Sequence, residues 1–168
     1  LALAAEASVG YKLAEALFPV NVLKIKRTHP PTEEEIKWLK QWIAVRDSVQ
    51  YSMGNSVWSS VRNSVRYSMG NSVWESVGES VGESAWKNMG SSVWSITADS
   101  VWESMWAYIA SLFPNITKWK YINHAEGENP FQPAINLWKN GLIPSFDGKS
   151  WRLHAGENAE IVWEGGNT

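Results

Sequence analysis

The chain has no cysteine. Disulfides and thiolate chemistry are therefore excluded, and the redox compartment stays open. No apolar run approaches the ~20 residues that span a bilayer. Leu1-Ala-Leu-Ala-Ala-Glu-Ala lacks a basic leader and is not read as a signal peptide. The expectation is a soluble protein of unassigned compartment. Neither sign of charge dominates, with 15 basic and 17 acidic residues and a net charge of −2. That balance argues against strong general attraction to double-stranded nucleic acid or an anionic membrane. Only three histidines occur, His29, His124 and His154, and none is spaced as His-x-x-x-His, so no metal site is expected. There is no phosphate-binding Gly-rich loop and no Gly-x-Ser-x-Gly nucleophile turn. No catalytic residue, metal or cofactor is assigned.

What is present is repetition. Between Ser48 and Ser104 one position recurs every four residues, fifteen times, and thirteen of the fifteen are Ser; Asn88 and Ile96 are the exceptions. The next residue is Val nine times and Met four times. Such a fixed period is the mark of a repeat scaffold. Hydrophobic residues make up 44% of the 168, which suits a folded chain. The twelve tryptophans are an unusual number for this length.

Helix and strand can be weighed by angle. Four residues of α-helix turn through about 400°, so a row at that spacing drifts by about 40° per repeat. Over the whole array the row winds more than once round the helix, and no single buried face survives. Val, Trp and Tyr suit strands, and Gly-Asn and Gly-Glu suit corners. Tyr51-Ser-Met-Gly-Asn-Ser-Val-Trp58 also returns identically at Tyr67 to Trp74, sixteen residues on. The expectation is therefore a mainly β fold, a short four-sided β-solenoid of about 16 residues per coil. The alternative is a long Ser-rich α-helix packing through small residues. In the solenoid, Val57, Val61, Val65, Val73, Val77, Val81 and Val93 point inward as the repeat core. Trp58, Trp74, Trp86, Trp94, Trp102 and Trp106 occupy third positions and form the candidate interface.

The flanks read as caps. Residues 1–47 form an N-terminal helical cap, 48–107 the solenoid and 108–168 a small α+β module. In the first cap, Ala4 to Phe18 reads as helix, Val20 to Ile25 as a short strand, and 33–47 as a helix opened by a Thr32/Glu35 capping box. Ile36, Leu39, Trp42 and Ile43 give that helix its apolar face. Val101 to Leu112 has helical spacing. A short helix over 134–140 ends at Gly141. Asp147-Gly148 reads as a turn, and Trp151 to His154 and Ala159 to Trp163 alternate like two strands.

Met105-Trp-Ala-Tyr-Ile-Ala-Ser-Leu-Phe113, Asn129-Pro-Phe-Gln132, Gly141-Leu-Ile-Pro-Ser-Phe-Asp-Gly-Lys149 and Trp151-Arg-Leu-His154 follow the array. With it they make residues 48–164 resemble an uncharacterised group of Ser-Val-Trp/Arg tetrapeptide-repeat proteins from phage-like and environmental sequences. The group carries no established activity, so the resemblance transfers no catalytic residue. It implies that array and C-terminal module form a recurring unit.

The functional expectation is a non-catalytic structural or interaction protein, a homo-oligomer or the binder of a protein partner through its Trp-rich faces. The alternative is a module that binds glycan or single-stranded nucleic acid on an aromatic ladder. A third reading, an enzyme, would draw on His124, Asp147 and His154 in the C-terminal module.

Overall fold

The computed structural model describes residues 11–48, 57–69, 71, 83 and 98–166. They contain α1 (Leu13–Leu17), α2 (Glu33–Asp47), α3 (Val57–Met69), α4 (Ala98–Ala110) and α5 (Gln132–Lys139). A 3₁₀ turn occupies Val22–Lys24, where a short strand was expected. Strands β1 (Ile143–Phe146), β2 (Ser150–Ala155) and β3 (Glu160–Gly166) form one antiparallel sheet in that order.

The β-solenoid is overturned. The described parts of the array are helical, in two runs of 13 residues, α3 and α4. The drift argument fails because it was summed over the whole array. Val57, Val61 and Val65 turn through only about 80°, which fits inside the ~100° stripe of an amphipathic helix. All three are fully buried, as helix residues and not as strand residues. Val73, Val77, Val81 and Val93 lie outside the described residues, as does most of the sixteen-residue echo.

Serine shares the burial. Ser60, Ser64, Ser100 and Ser104 are as buried as the Val or Met that follows each. Their hydroxyls capture backbone. Ser60 Oγ donates to the Lys120 carbonyl, and Lys120 N–H donates to Ser64 Oγ at 2.7 Å. Ser100 Oγ accepts the Phe146 N–H at 2.8 Å, which ties β1 to α4. Ser104 Oγ instead donates to Val101 O, three residues back on its own helix, at 2.8 Å.

Flanking helices follow local chemistry. Thr32 Oγ1 accepts the Glu35 N–H at 3.2 Å, and Glu35 Oε2 accepts the Thr32 N–H at 2.8 Å, completing the capping box of α2. Leu39 and Trp42 of α2 are fully buried, and α2 packs on α5. At the end of α5, Leu142 N–H reaches Leu137 O at 2.9 Å and Gly141 N–H reaches Trp138 O at 3.0 Å. This is the Schellman closure, with Gly141 at φ 77. The Asp147–Gly148 turn joins β1 to β2; Asp147 Oδ1 accepts the N–H groups of Lys149 and Ser150, each at 2.8 Å. The sequence did not reveal β1, whose Pro144 and Ser145 interrupt the alternation. Between β2 and β3 the register slips at Leu153/His154, leaving Val162 as the extra residue of a bulge.

One apolar core runs from Tyr11 to Ala159. Tyr108 stacks on Trp138 at 5.5 Å, and Phe146 on Trp151 at 5.0 Å. Arg46 of α2 lies 5.5 Å over Trp151 and pairs with Glu103 of α4, so it joins two helices to the sheet.

Two outcomes follow. A Cβ at Gly141 would sit 2.9 Å from Ile25 Cγ2 in a left-handed backbone, so Gly141→Ala is expected to lower stability by more than about 1 kcal/mol. Ser60→Ala and Ser64→Ala each leave one Lys120 backbone group unpaired and are each expected to cost about 1–3 kcal/mol. Urea unfolding followed by circular dichroism measures both.

Candidate functional site

Beside the buried Leu39–Trp42 stripe, α2 carries a second one. Trp38, Gln41 and Val45 recur at i, i+3 and i+7 and face the start of α5. Opposite stand Asn129, Pro130, Gln132, Pro133 and Asn136. These eight residues line an open cleft of about 370 Å³. Gln132 Nε2 donates to Asn136 Oδ1 at 2.7 Å, which orients both amides. Asn129 Oδ1 accepts the Phe131 N–H at 3.0 Å and holds the turn into α5. The two prolines carry no N–H and stiffen the wall.

A second cleft of about 380 Å³ lies on the other side of Trp38, between residues 25–29 and the end of α5. Its wall is ionic. Arg27 donates two bonds to Glu35, each 2.8 Å, and one to the Asn140 carbonyl at 2.7 Å. Burial pushes the Glu35 carboxyl up, but the bonds from Arg27 and Thr32 outweigh it and hold the group below the ordinary range. The two clefts differ in kind. The first has no charged lining residue and four primary amides, each able to donate and accept. The second is built on a committed ion pair.

The expected interface residues divide. Trp58, Trp102 and Trp106 come together at the seam of α3 and α4. Trp106 is buried, and the other two are half-buried. Trp58 meets Trp106 edge-on at 6.1 Å, and Trp102 stacks on it at 6.4 Å. Trp74, Trp86 and Trp94 lie outside the described residues. Trp38 did not enter the sequence reading. Its i, i+3, i+7 relation to Gln41 and Val45 was the available signal, but its partners lie about ninety residues away in sequence.

The polar residues of the enzymatic reading are dispersed. Asp147 and His154 stand at opposite ends of the β1–β2 pair. Asp147 binds Arg152 at 2.8 Å. His124 accepts the Trp119 N–H at its Nε2, 3.0 Å away, within its own loop. His29 is exposed, with Nδ1 2.9 Å from the Pro30 carbonyl. His154 has a partner that the sequence did not indicate. Its Nε2 lies 2.7 Å from Ser145 Oγ and its Nδ1 3.0 Å from the Ala159 carbonyl. The carbonyl makes Nδ1 the donor, so Nε2 accepts from the serine. That is the geometry of a nucleophile and base, but both residues are buried, at 1% and 3% exposure. In this conformation the pair fastens β1 to the bulge and is closed to substrate. Among the described residues, no group of three His, Cys, Asp or Glu could hold a metal ion, and no helix is long and apolar enough to cross a membrane.

The chain matches no protein-family model, no curated protein and no solved structure.

Burial chiefly, with a contribution from the Arg152 charge, holds His154 below the usual histidine range; the bond to Ala159 opposes them. In the unfolded chain histidine titrates near about 6.5. Below that pH the unfolded state binds a proton that the folded state refuses. Stability is therefore expected to fall as pH drops from about 6.5 toward the folded pKa. Urea midpoints at closely spaced pH values measure the slope in that window, and His154→Gln is expected to flatten it.

Proposed function

We propose that the chain is a non-catalytic interaction protein whose Trp38 cleft holds an extended segment of a protein partner. One observation carries this reading: a cleft with an aromatic platform, four primary amides and no charge. Amide side chains pair with both the N–H and the C=O of an extended backbone. Trp supplies a large contact area at low entropic cost, which is why it anchors interfaces. Interface cores are likewise depleted in charge and enriched in aromatics. In this reading the Ser-Val helices are scaffold, and Trp58, Trp102 and Trp106 consolidate the α3–α4 seam.

A neutral oligosaccharide is the second reading, favoured by the same uncharged lining. Sugars stack on Trp and exchange hydrogen bonds with amides.

Calorimetric titration with a panel of extended peptides and neutral oligosaccharides separates the two. Saturable peptide binding is expected, weakened about 30-fold or more by Trp38→Ala and unchanged by Trp58→Ala. Saturation by oligosaccharide alone transfers the site to the second reading. Binding of either class that is indifferent to Trp38→Ala removes the cleft from function.

A further inference from the structure

The sequence contains one Asn-Gly pair, Asn140-Gly141. Such a pair carries a reaction of its own. The backbone nitrogen of the second residue can attack the side-chain carbonyl carbon of the asparagine, and glycine, with no Cβ, hinders that approach least. Solvent water and a backbone free to turn are all that the reaction requires.

The fold places this pair at the joint that closes α5. Asn140 is exposed and Gly141 is buried. Asn140 Nδ2 and the Asn140 N–H both donate to the Asn136 carbonyl, at 2.7 and 3.1 Å. The Asn140 carbonyl accepts from Arg27 Nη1 at 2.7 Å. The Gly141 N–H is held by Trp138 O at 3.0 Å, and the Leu142 N–H by Leu137 O at 2.9 Å. Asn140 has ψ 10°, which turns the Gly141 nitrogen toward the Asn140 amide nitrogen and away from Asn140 Cβ. The nucleophile therefore faces away from the carbon it must reach, and its proton is engaged. Ile25 covers the joint so closely that a Cβ on Gly141 would fall 2.9 Å from Ile25 Cγ2. While the joint is closed, the pair is held inert.

We propose that Asn140 is a site of spontaneous deamidation gated by local opening of the α5 end, and that its isoaspartate product keeps that end from closing again. Local openings of this kind are a normal property of folded chains. In the opened joint the Gly141 nitrogen gives its proton to solvent and bonds to Asn140 Cγ. The Cγ–Nδ2 bond breaks, and the side-chain nitrogen takes up a proton and leaves as ammonia. Water then opens the five-membered imide at one of its two carbonyls. Opening at Cγ gives aspartate, and opening at the backbone carbonyl gives isoaspartate. Aspartate keeps the backbone path and loses one bond, that of Nδ2 to Asn136 O. Isoaspartate routes the chain through Cβ, which lengthens it by one carbon inside the Schellman closure and beneath Ile25. It also takes the carbonyl that Arg27 holds out of the backbone. Arg27 is bonded to Glu35 and lines the second cleft, so the change reaches that cleft and leaves the Trp38 cleft's amides intact.

The whole chain is incubated at neutral pH, folded and in urea, and sampled by peptide mapping with mass detection, which separates aspartate from isoaspartate. In urea, conversion is expected first at Asn140, ahead of the Asn-Ser pairs at 55–56, 63–64 and 71–72. In the folded chain Asn140 is expected to convert about 100-fold more slowly, because the bonds of Gly141 N–H, Leu142 N–H and Asn140 Nδ2 must open at about fivefold each. Arg27→Lys keeps a cation beside Glu35 but loses the planar fork that reaches Glu35 and the Asn140 carbonyl together. It is expected to speed folded conversion about fivefold and to leave the rate in urea unchanged. Ser60→Ala weakens the fold at α3, away from the joint, and is expected to leave the folded rate unchanged. The isoaspartate form is expected to unfold at lower urea than Asn140→Asp, which supplies the other product alone. The proposal is overturned if folded and unfolded chains convert at equal rates, or if an Asn-Ser pair leads in urea. It is equally overturned if Arg27→Lys has no effect on the folded rate or Ser60→Ala has the same one, or if the isoaspartate form matches the urea midpoint of Asn140→Asp.

Discussion

Two hydroxyls one helical turn apart hold both backbone groups of a single residue, and much of the molecule depends on that contact. Ser60 donates to the carbonyl of Lys120, and the N–H of Lys120 donates to Ser64. A four-residue step places the two serines on the same face of α3, about one turn apart along its axis. No larger side chain would let the loop backbone come so close. No apolar one would satisfy the polar groups that the approach buries. The repeat is thus a device for seating irregular chain on a helix. Ser100 does the same for Phe146 at the start of the sheet.

The array's economy follows from this. The tetrapeptides that begin at Ser60, Ser64, Ser100 and Ser104 each bury their first two residues, Ser against backbone and Val or Met against the core. The third and fourth positions stay wholly or partly accessible except at Trp106 and Ala107, where α4 enters the core. Elsewhere the joints are made by single charged groups used more than once. Glu35 caps α2 and receives Arg27, which also holds the end of α5. Arg46 pairs with Glu103 while lying over Phe146 and Trp151. Such shared groups leave little independent play between α2, α4, α5 and the sheet. The Trp38 cleft is therefore bordered by elements whose spacing is set elsewhere.

Legibility tracked the range of the signal. The capping box of α2, the glycine ending α5 and the Asp147–Gly148 turn were all readable, because each is decided within about five residues. The β2–β3 pair was readable from alternation, but its bulge at His154 was not, since a bulge is a property of two strands. β1 hid behind Pro144. The array misled because its drift was extrapolated over a length that the described helices do not reach. Over three repeats a four-residue period keeps one face, and composition poor in helix formers is overridden by packing.

The sequence alone determined the punctuation of the chain, the four-residue rhythm and the supply of small polar and β-branched residues at fixed places. These are local properties, written in neighbours. Only the tertiary structure decided whether that rhythm would be strand or helix, because the balance rests on what covers Val57, Val61 and Val65. It alone set the backbone of Lys120 against Ser60 and Ser64 of α3, and Trp38 opposite the amides of 129–136. The physical reason is the same in each case. A binding surface is a juxtaposition across a core, and burial against distant residues is the one term that a reading along the chain cannot sum.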